Sequence, residues 1–227
     1  MRNLSDKVSG LAPSATIEIS NRARQMQRGG IDVISLSIGE PDFDTPLHIR
    51  DACISALMRG ETHYAPSNGI PELLEAIAGK IEAENAFSCA PEQVIVTCGA
   101  KSAIYEAAEA VLNPGDEVII LDPSWVSYEP IVRIAGGRPV HHLLSTDTFQ
   151  PDDSLQERVT PRTRMIVINS PSNPSGAVLE KKSLKLLADL CEDYDIFAVS
   201  DEIYEKLTYG KRSEEHTSEL QSRQGIS

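Results

Sequence analysis

Short runs rich in Val and Ile alternate along this chain with longer amphipathic stretches, and that alternation leaves few folds open. The runs are Gln93–Gly99 (QVIVTCG), Glu117–Pro123 (EVIILDP), Met165–Pro171 (MIVINSP) and Ile196–Glu202 (IFAVSDE). Each is apolar at successive rather than alternate positions, the pattern of strands buried on both faces. Between or before them, Glu72–Asn85 places Leu73, Leu74, Ile77 and Ile81 on one stripe, with Pro71 suited to a first helical turn. Lys101–Leu112 runs into the stop signal Asn113-Pro114-Gly115, and Glu180–Asp193 repeats the helical spacing with Leu184, Leu187, Ala188 and Cys191. Strand, helix and strand at these intervals imply right-handed crossovers and an α/β fold: a mostly parallel sheet flanked by helices. In such sheets ligands bind beyond the carboxyl ends of the strands.

Charge and composition narrow the function. With 21 Lys and Arg against 34 Asp and Glu, the net charge of −13 repels phosphate backbones and argues against nucleic acid as a partner. No apolar run reaches the roughly 18 residues of a membrane span, and Asp6 and Pro13 do not fit a signal peptide. Cys53, Cys89, Cys98 and Cys191 are scattered without a C-x-x-C pair, so neither structural zinc nor a disulfide framework is expected. These features point to a soluble, cytoplasmic protein.

Chemistry is sought at the four strand ends. Cys98-Gly99-Ala100-Lys101-Ser102 opens a helix, whose first-turn amides and dipole form an anion site, or simply a tight turn. It matches neither a Walker A loop nor G-x-G-x-x-G, which leaves a nucleotide-dependent oxidoreductase without its phosphate fingerprint. Trp125, the one tryptophan, follows the second run and could stack on a planar ring or serve only as packing. In Asn169-Ser170-Pro171-Ser172-Asn173-Pro174-Ser175-Gly176 the prolines stiffen a loop in which Asn173 is either a ligand donor or a turn residue. Asp201 closes the fourth run, and an acid there needs a partner: a cationic heterocycle, or a structural Arg or Lys.

Together, an anion cradle, an indole, an amide and a carboxylate beside a phenol suit a pyridoxal 5′-phosphate (PLP) site. From about Leu11 to Tyr209 the sequence resembles the class I/II aminotransferases of PLP fold type I, bacterial aspartate aminotransferases above all. The resemblance rests on Pro13-Ser14-Ala15-Thr16, Gly39-Glu40-Pro41-Asp42-Phe43-Asp44-Thr45-Pro46, Tyr64-Ala65-Pro66, Gly69-Ile70-Pro71-Glu72-Leu73 and Pro114-Gly115-Asp116-Glu117-Val118. It continues through Trp125-Val126-Ser127-Tyr128, Asn169–Gly176 and Ser200-Asp201-Glu202-Ile203-Tyr204.

The resemblance implies that backbone amides of Gly99, Ala100 and Lys101 hold the cofactor phosphate, that Trp125 stacks on the ring, and that Asp201 pairs with its protonated nitrogen. It further implies that Asn173 and Tyr204 bond the phenolic oxygen, that Gly39 and Asn173 meet the substrate α-carboxylate, and that Lys101 favours a dicarboxylic amino acid; Trp125 also lines the substrate side. Tyr64 would reach the phosphate of a neighbouring subunit, so a homodimer is implied. Ser175 replaces the commoner Thr. The expected reaction is aspartate with 2-oxoglutarate giving oxaloacetate and glutamate. Aromatic, alanine or prephenate transamination, a β-lyase or synthase, and a non-catalytic ligand-binding module of the same family are the alternatives.

Two family features are missing. The lysine that carries the cofactor covalently stands in a Ser-Lys context that neither Lys206 nor Lys211 reproduces, and the downstream arginine for the α-carboxylate is not found. Residues 212–222 are similar to a translated sequencing adapter, so His216 is given no catalytic role. The expected organisation is an N-terminal arm with part of a small domain (1–45), an incomplete PLP-binding large domain (46–210) and a non-native or disordered tail (211–227). Such a fragment is expected to lack transaminase activity.

Overall fold

A computed structural model describes residues 5–10 and 15–209; the Pro13-Ser14 part of the first motif, Gly210, Lys211 and His216 lie outside the described residues. The chain divides into two compact units, residues 10–66 on the one hand and residues 1–9 with 67–227 on the other.

Residues 10–66 contain two helices, α2 (Ala15–Arg28) and α3 (Leu47–Met58), α1 (Asp6–Ser9) belonging to the other unit. No side chain of α3 is buried. Gly39 lies in the irregular stretch between the two helices, and Tyr64 follows α3; both are exposed.

The larger unit is built on a sheet of four strands, β1 (Glu117–Asp122), β2 (Arg138–Leu143), β3 (Thr163–Asn169) and β4 (Phe197–Asp201). Its order is β2-β1-β3-β4 and every pairing is parallel, as the alternation of strand and helix requires. The central strands carry the continuous apolar runs: Val118, Ile119, Met165 and Ile166 are all essentially inaccessible. Helices α4 (Pro71–Asn85), α5 (Ala100–Val111), α6 (Tyr128–Ile134) and α7 (Lys181–Tyr194) agree closely with the sequence reading where it placed helices; α6 was not foreseen. On one face of the sheet Ile119, Leu121, Ile166 and Ile168 pack with Leu184, Leu187 and Cys191 of α7. On the other, Val118, Ile120, Met165 and Val167 pack with Ile104 and Ala108 of α5 and Tyr128, Ile131 and Val132 of α6.

Two strand expectations need correction. Gln93–Gly99 is not a strand: Pro91–Gln93 is a short 3-10 turn, and residues 94–97 join no sheet among the described residues. The Val94 amide bonds back within the turn to Pro91 O (3.1 Å), the Val96 amide reaches Asn68 O (2.9 Å), and Ile95 is left exposed. An apolar run becomes a strand only when a neighbour accepts its backbone groups. Conversely, Arg138–Leu143 is a strand that its composition hides. It occupies the sheet edge, the position where Pro139 is tolerated. Nor is β4 buried on both faces, since it is the other edge and Phe197 and Ser200 are exposed.

At the amino end of β1, Glu117 is buried and bound by Arg138 and by Thr160 Oγ1 (2.7 Å). Burial raises its pKa, but the Thr160 and Arg138 hydrogen bonds outweigh that and hold the carboxylate below its usual range.

Candidate active site

Three of the four strands end on an Asx residue, namely Asp122 on β1, Asn169 on β3 and Asp201 on β4. These ends and the loops that leave them, with the start of α5, carry the residues singled out from sequence other than Gly39 and Tyr64. β3 and β4 run in register at Asn169 and Asp201, and the Asn169 carboxamide uses that proximity twice. Its Nδ2 donates to Asp201 O (2.8 Å), and its Oδ1 accepts from the Asn173 amide (2.7 Å). The following loop is closed by Ser172 N to Ala177 O (2.9 Å) and by Gly176 N to Ser172 O (2.8 Å). Gly176 has φ +71°, which a side chain would disfavour. Asn173 is thereby fixed through its main chain, while its half-buried carboxamide makes no hydrogen bond among the described residues.

Asp201 is buried. Its Oδ2 accepts from the Tyr128 hydroxyl (2.7 Å) and its Oδ1 from the Ile203 amide (3.3 Å). No Lys, Arg or His pairs with it among the described residues. Of the two partners the sequence left open, the structural Arg or Lys is therefore not present there. Tyr128 was missed as a partner, since nothing in Trp125-Val126-Ser127-Tyr128 signals a bond to a residue 73 positions away. Burial, and next the hydrogen bond to Asp201, push its pKa well up, so the phenol stays protonated and donates. Tyr204 stands close enough to add to that shift, and it is half-buried, with no hydrogen bond from its hydroxyl among the described residues.

The Trp125 ring meets Tyr128 edge-on, centroids 5.4 Å apart at 84°. The Lys101 ammonium lies 4.8 Å from the centre of the same indole. Contacts thus run from Lys101 through Trp125, Tyr128, Asp201 and Asn169 to Asn173. At the start of α5, Gly99 takes φ +88° and its own amide is turned to Thr97 O (2.8 Å). The Ala100 and Lys101 amides, first and second in the helix, make no hydrogen bond among the described residues and stand at its positive end. Two of the three amides foreseen as an anion cradle are therefore available. Gly39 and Tyr64 belong to the other unit; Tyr64 is fully exposed.

A groove of about 650 Å³ lies elsewhere, lined among others by Gln150, Asp152, Asp189 and Tyr194 on the α7 side of the sheet, and shares no residue with this constellation. No cluster of three potential metal ligands occurs among the described residues.

The family model for aminotransferase class I and II matches residues 31–225. The chain belongs to this family. It is 47% identical over 226 residues to the aspartate/prephenate aminotransferase of Thermus thermophilus, covering 96% of this chain and 59% of that protein. The aspartate aminotransferase of Geobacillus stearothermophilus is 46% identical over 209 residues, 91% of this chain and 53% of its own. Among solved structures, aspartate aminotransferase from Thermus thermophilus with maleate superposes with a TM-score of 0.92 at 46% identity, over 96% of this chain and 58% of that one. The enzyme from Rhizobium meliloti gives 0.90 at 37%, over 97% and 56%. This aminotransferase chain thus spans a little under three-fifths of the length of those relatives, and its parallel sheet with flanking helices is part of their fold.

The residues present suit the family's cofactor in charge and shape. Among the described residues a buried carboxylate lacks a counter-ion, an indole is held edge-on by a tyrosine, and two helix-start amides make no hydrogen bond. No helix among the described residues is long and apolar enough to cross a membrane.

Proposed function

We propose that this chain is the cofactor-binding part of an aspartate aminotransferase that moves an amino group from aspartate to 2-oxoglutarate. The observation that carries the reading is Asp201, a buried acid bound by neutral donors only. A carboxylate in that state is costly unless a cation neutralises it, and the protonated ring nitrogen of pyridoxal phosphate is such a cation. When bound, PLP supplies an electron sink for the α-carbon of the amino acid.

The chain's own residues supply binding and orientation. Ala100 and Lys101 amides, backed by the α5 dipole, would hold the phosphate. Trp125 would cover one face of the ring, held from moving by Tyr128. Asn173 and Tyr204 would donate to the ring oxygen, and the Asn173 carboxamide, fixed by Asn169, would also meet the substrate α-carboxylate. The ammonium of Lys101, set over the indole at 4.8 Å, offers a charge for a second carboxylate and favours dicarboxylic substrates. The name of the Thermus thermophilus relative adds prephenate as a second substrate class. Tyr64, wholly exposed, is suited to reach a second copy in a homodimer.

The chain as given holds no lysine in the family's Ser-Lys setting, so it is proposed to bind PLP without turning over. PLP titration followed by absorbance, then borohydride trapping and peptide mapping, tests this. Saturable binding without a stoichiometric lysine label, and no oxaloacetate from aspartate, is the expected result; a labelled lysine with turnover refutes the inactive reading, and absence of binding refutes the cofactor site.

A further inference from the structure

We infer that His141 is a positioning residue for Trp125, a single imidazole on the neighbouring strand tying together both ends of the turn that bears the indole. The turn leaves β1 at Asp122 and enters α6 at Tyr128 and Glu129. His141 stands on β2, paired with Ile120 and thus diagonal to Asp122 on the same face of the sheet. Its Nδ1 lies 2.7 Å from Asp122 Oδ2, and because a carboxylate only accepts, the contact is a hydrogen bond with Nδ1–H as donor. Its Nε2 lies 3.5 Å from Glu129 Oε2, an approach that attracts when Nε2 carries a proton as well, since this carboxylate also only accepts. The residues at the two ends of the turn therefore meet one ring.

Each end is itself braced. The second Asp122 oxygen accepts from Ser124 Oγ (2.7 Å), and the second Glu129 oxygen is held by Arg133, one helical turn on, at 2.8 Å. Both anchors are thus held in place before the imidazole meets them. Across the turn, Tyr128 N bonds back to Trp125 O (3.1 Å), so a shift of either anchor moves the indole. All three side chains are partly exposed, and exposed pairs of this kind add little to global stability. What they restrict is the freedom of one turn, and here that turn carries the ring that Lys101 and Tyr128 also touch. The bearing of this clamp on the cofactor rests on the function proposed above; the clamp itself does not.

Trp125 is the one tryptophan of the chain, so its fluorescence reports this turn and nothing else. Acrylamide quenching and anisotropy are measured on the full chain, without PLP, for His141→Ala and His141→Asn. Removing the ring raises the quenching constant about twofold and lowers the anisotropy, with the urea midpoint almost unmoved. Asparagine, whose amide can occupy the place of Nδ1, restores most of the Asp122 arm and brings quenching back toward wild type. Unchanged quenching in His141→Ala, or an equal rise in both variants, overturns the clamp. Should His141→Ala fail to fold, Asp122→Ala and Glu129→Ala each remove one arm, and wild-type quenching in both overturns it as well. PLP titration of the same proteins separates the two readings: a wild-type chain that binds no PLP removes the cofactor site while the quenching result still decides the clamp.

Discussion

The Tyr128 hydroxyl donates to Asp201 Oδ2 at 2.7 Å, joining the first turn of α6 to the last residue of β4 across 73 positions of sequence. This bond aims the carboxylate and places the tyrosine ring against the Trp125 indole. Tyr128→Phe keeps the ring and deletes the donor. A buried carboxylate that loses one donor costs about 1–3 kcal/mol. The variant is expected to unfold at lower urea by that amount and to bind PLP more weakly, both read on the same preparation.

Asp201→Asn separates binding from stability. The amide keeps an acceptor for Tyr128 and removes a buried charge that has no counter-ion among the described residues. The stability of the free chain is expected to hold within about 1 kcal/mol, or to rise. PLP affinity is expected to fall at least tenfold, roughly 1.4 kcal/mol, because on the proposed function the ring nitrogen would lose its ion pair. Absorbance titration alongside urea unfolding checks both; equal PLP affinity in variant and wild type would remove Asp201 from the site.

Gln150 offers a test of the framework away from the site. It is buried, and its Oε1 accepts from Glu180 N (2.9 Å) and Ser183 Oγ (2.8 Å), while its Nε2 donates to Val178 O (3.1 Å). One side chain thereby joins the segment after β2 to the start of α7. Gln150→Leu retains most of the volume and strands these groups. Destabilisation of about 1–3 kcal/mol is expected by urea unfolding, with the Trp125 emission of the folded state unchanged.

The legible parts of this fold are those where one physical term dominates. β1 and β3 stand out because both faces are buried and their middles, residues 118–121 and 165–168, are apolar at every position. α4, α5 and α7 stand out by their spacing and by Pro71, Gly99 and the Asn113-Pro114-Gly115 stop. β2 was invisible because an edge strand is free to contain Arg138, Pro139 and two histidines. Residues 94–97 misled because apolar character alone does not supply the neighbouring strand that makes a ladder. In the site, Trp125, Asn173 and Asp201 were marked by their place at strand ends. Tyr128 and Asn169, which hold them, were not, because a hydrogen bond that spans tens of residues leaves no local pattern. Lys101 was read as a substrate and phosphate group; its seat over the indole depends on how α5 packs beside α6, which no spacing encodes.

His142 makes the acid side of the stability curve a prediction. It is 4% exposed on β2, and its Nδ1 has no hydrogen-bond partner among the described residues. Burial pulls its pKa below the ordinary 6.5; Asp152 acts weakly the other way, and Arg158 adds to the lowering. The unfolded chain therefore takes up a proton as pH falls through about 6.5, while the folded chain resists until lower pH. A group whose folded pKa is depressed contributes stability above its unfolded pKa and loses that contribution as pH falls through the window beneath it. Glu117 and Glu205, whose pKa values are also lowered, act only below the ordinary 4.5, beneath the pH range of the test. His142→Leu removes both the titration and the orphan nitrogen. Urea midpoints measured between about pH 7.5 and pH 5.5 should fall for the wild-type chain and fall less steeply for His142→Leu, leaving the variant relatively more stable at the acid end. Parallel slopes for the two proteins would mean that His142 takes up its proton as readily in the folded chain as in the unfolded one.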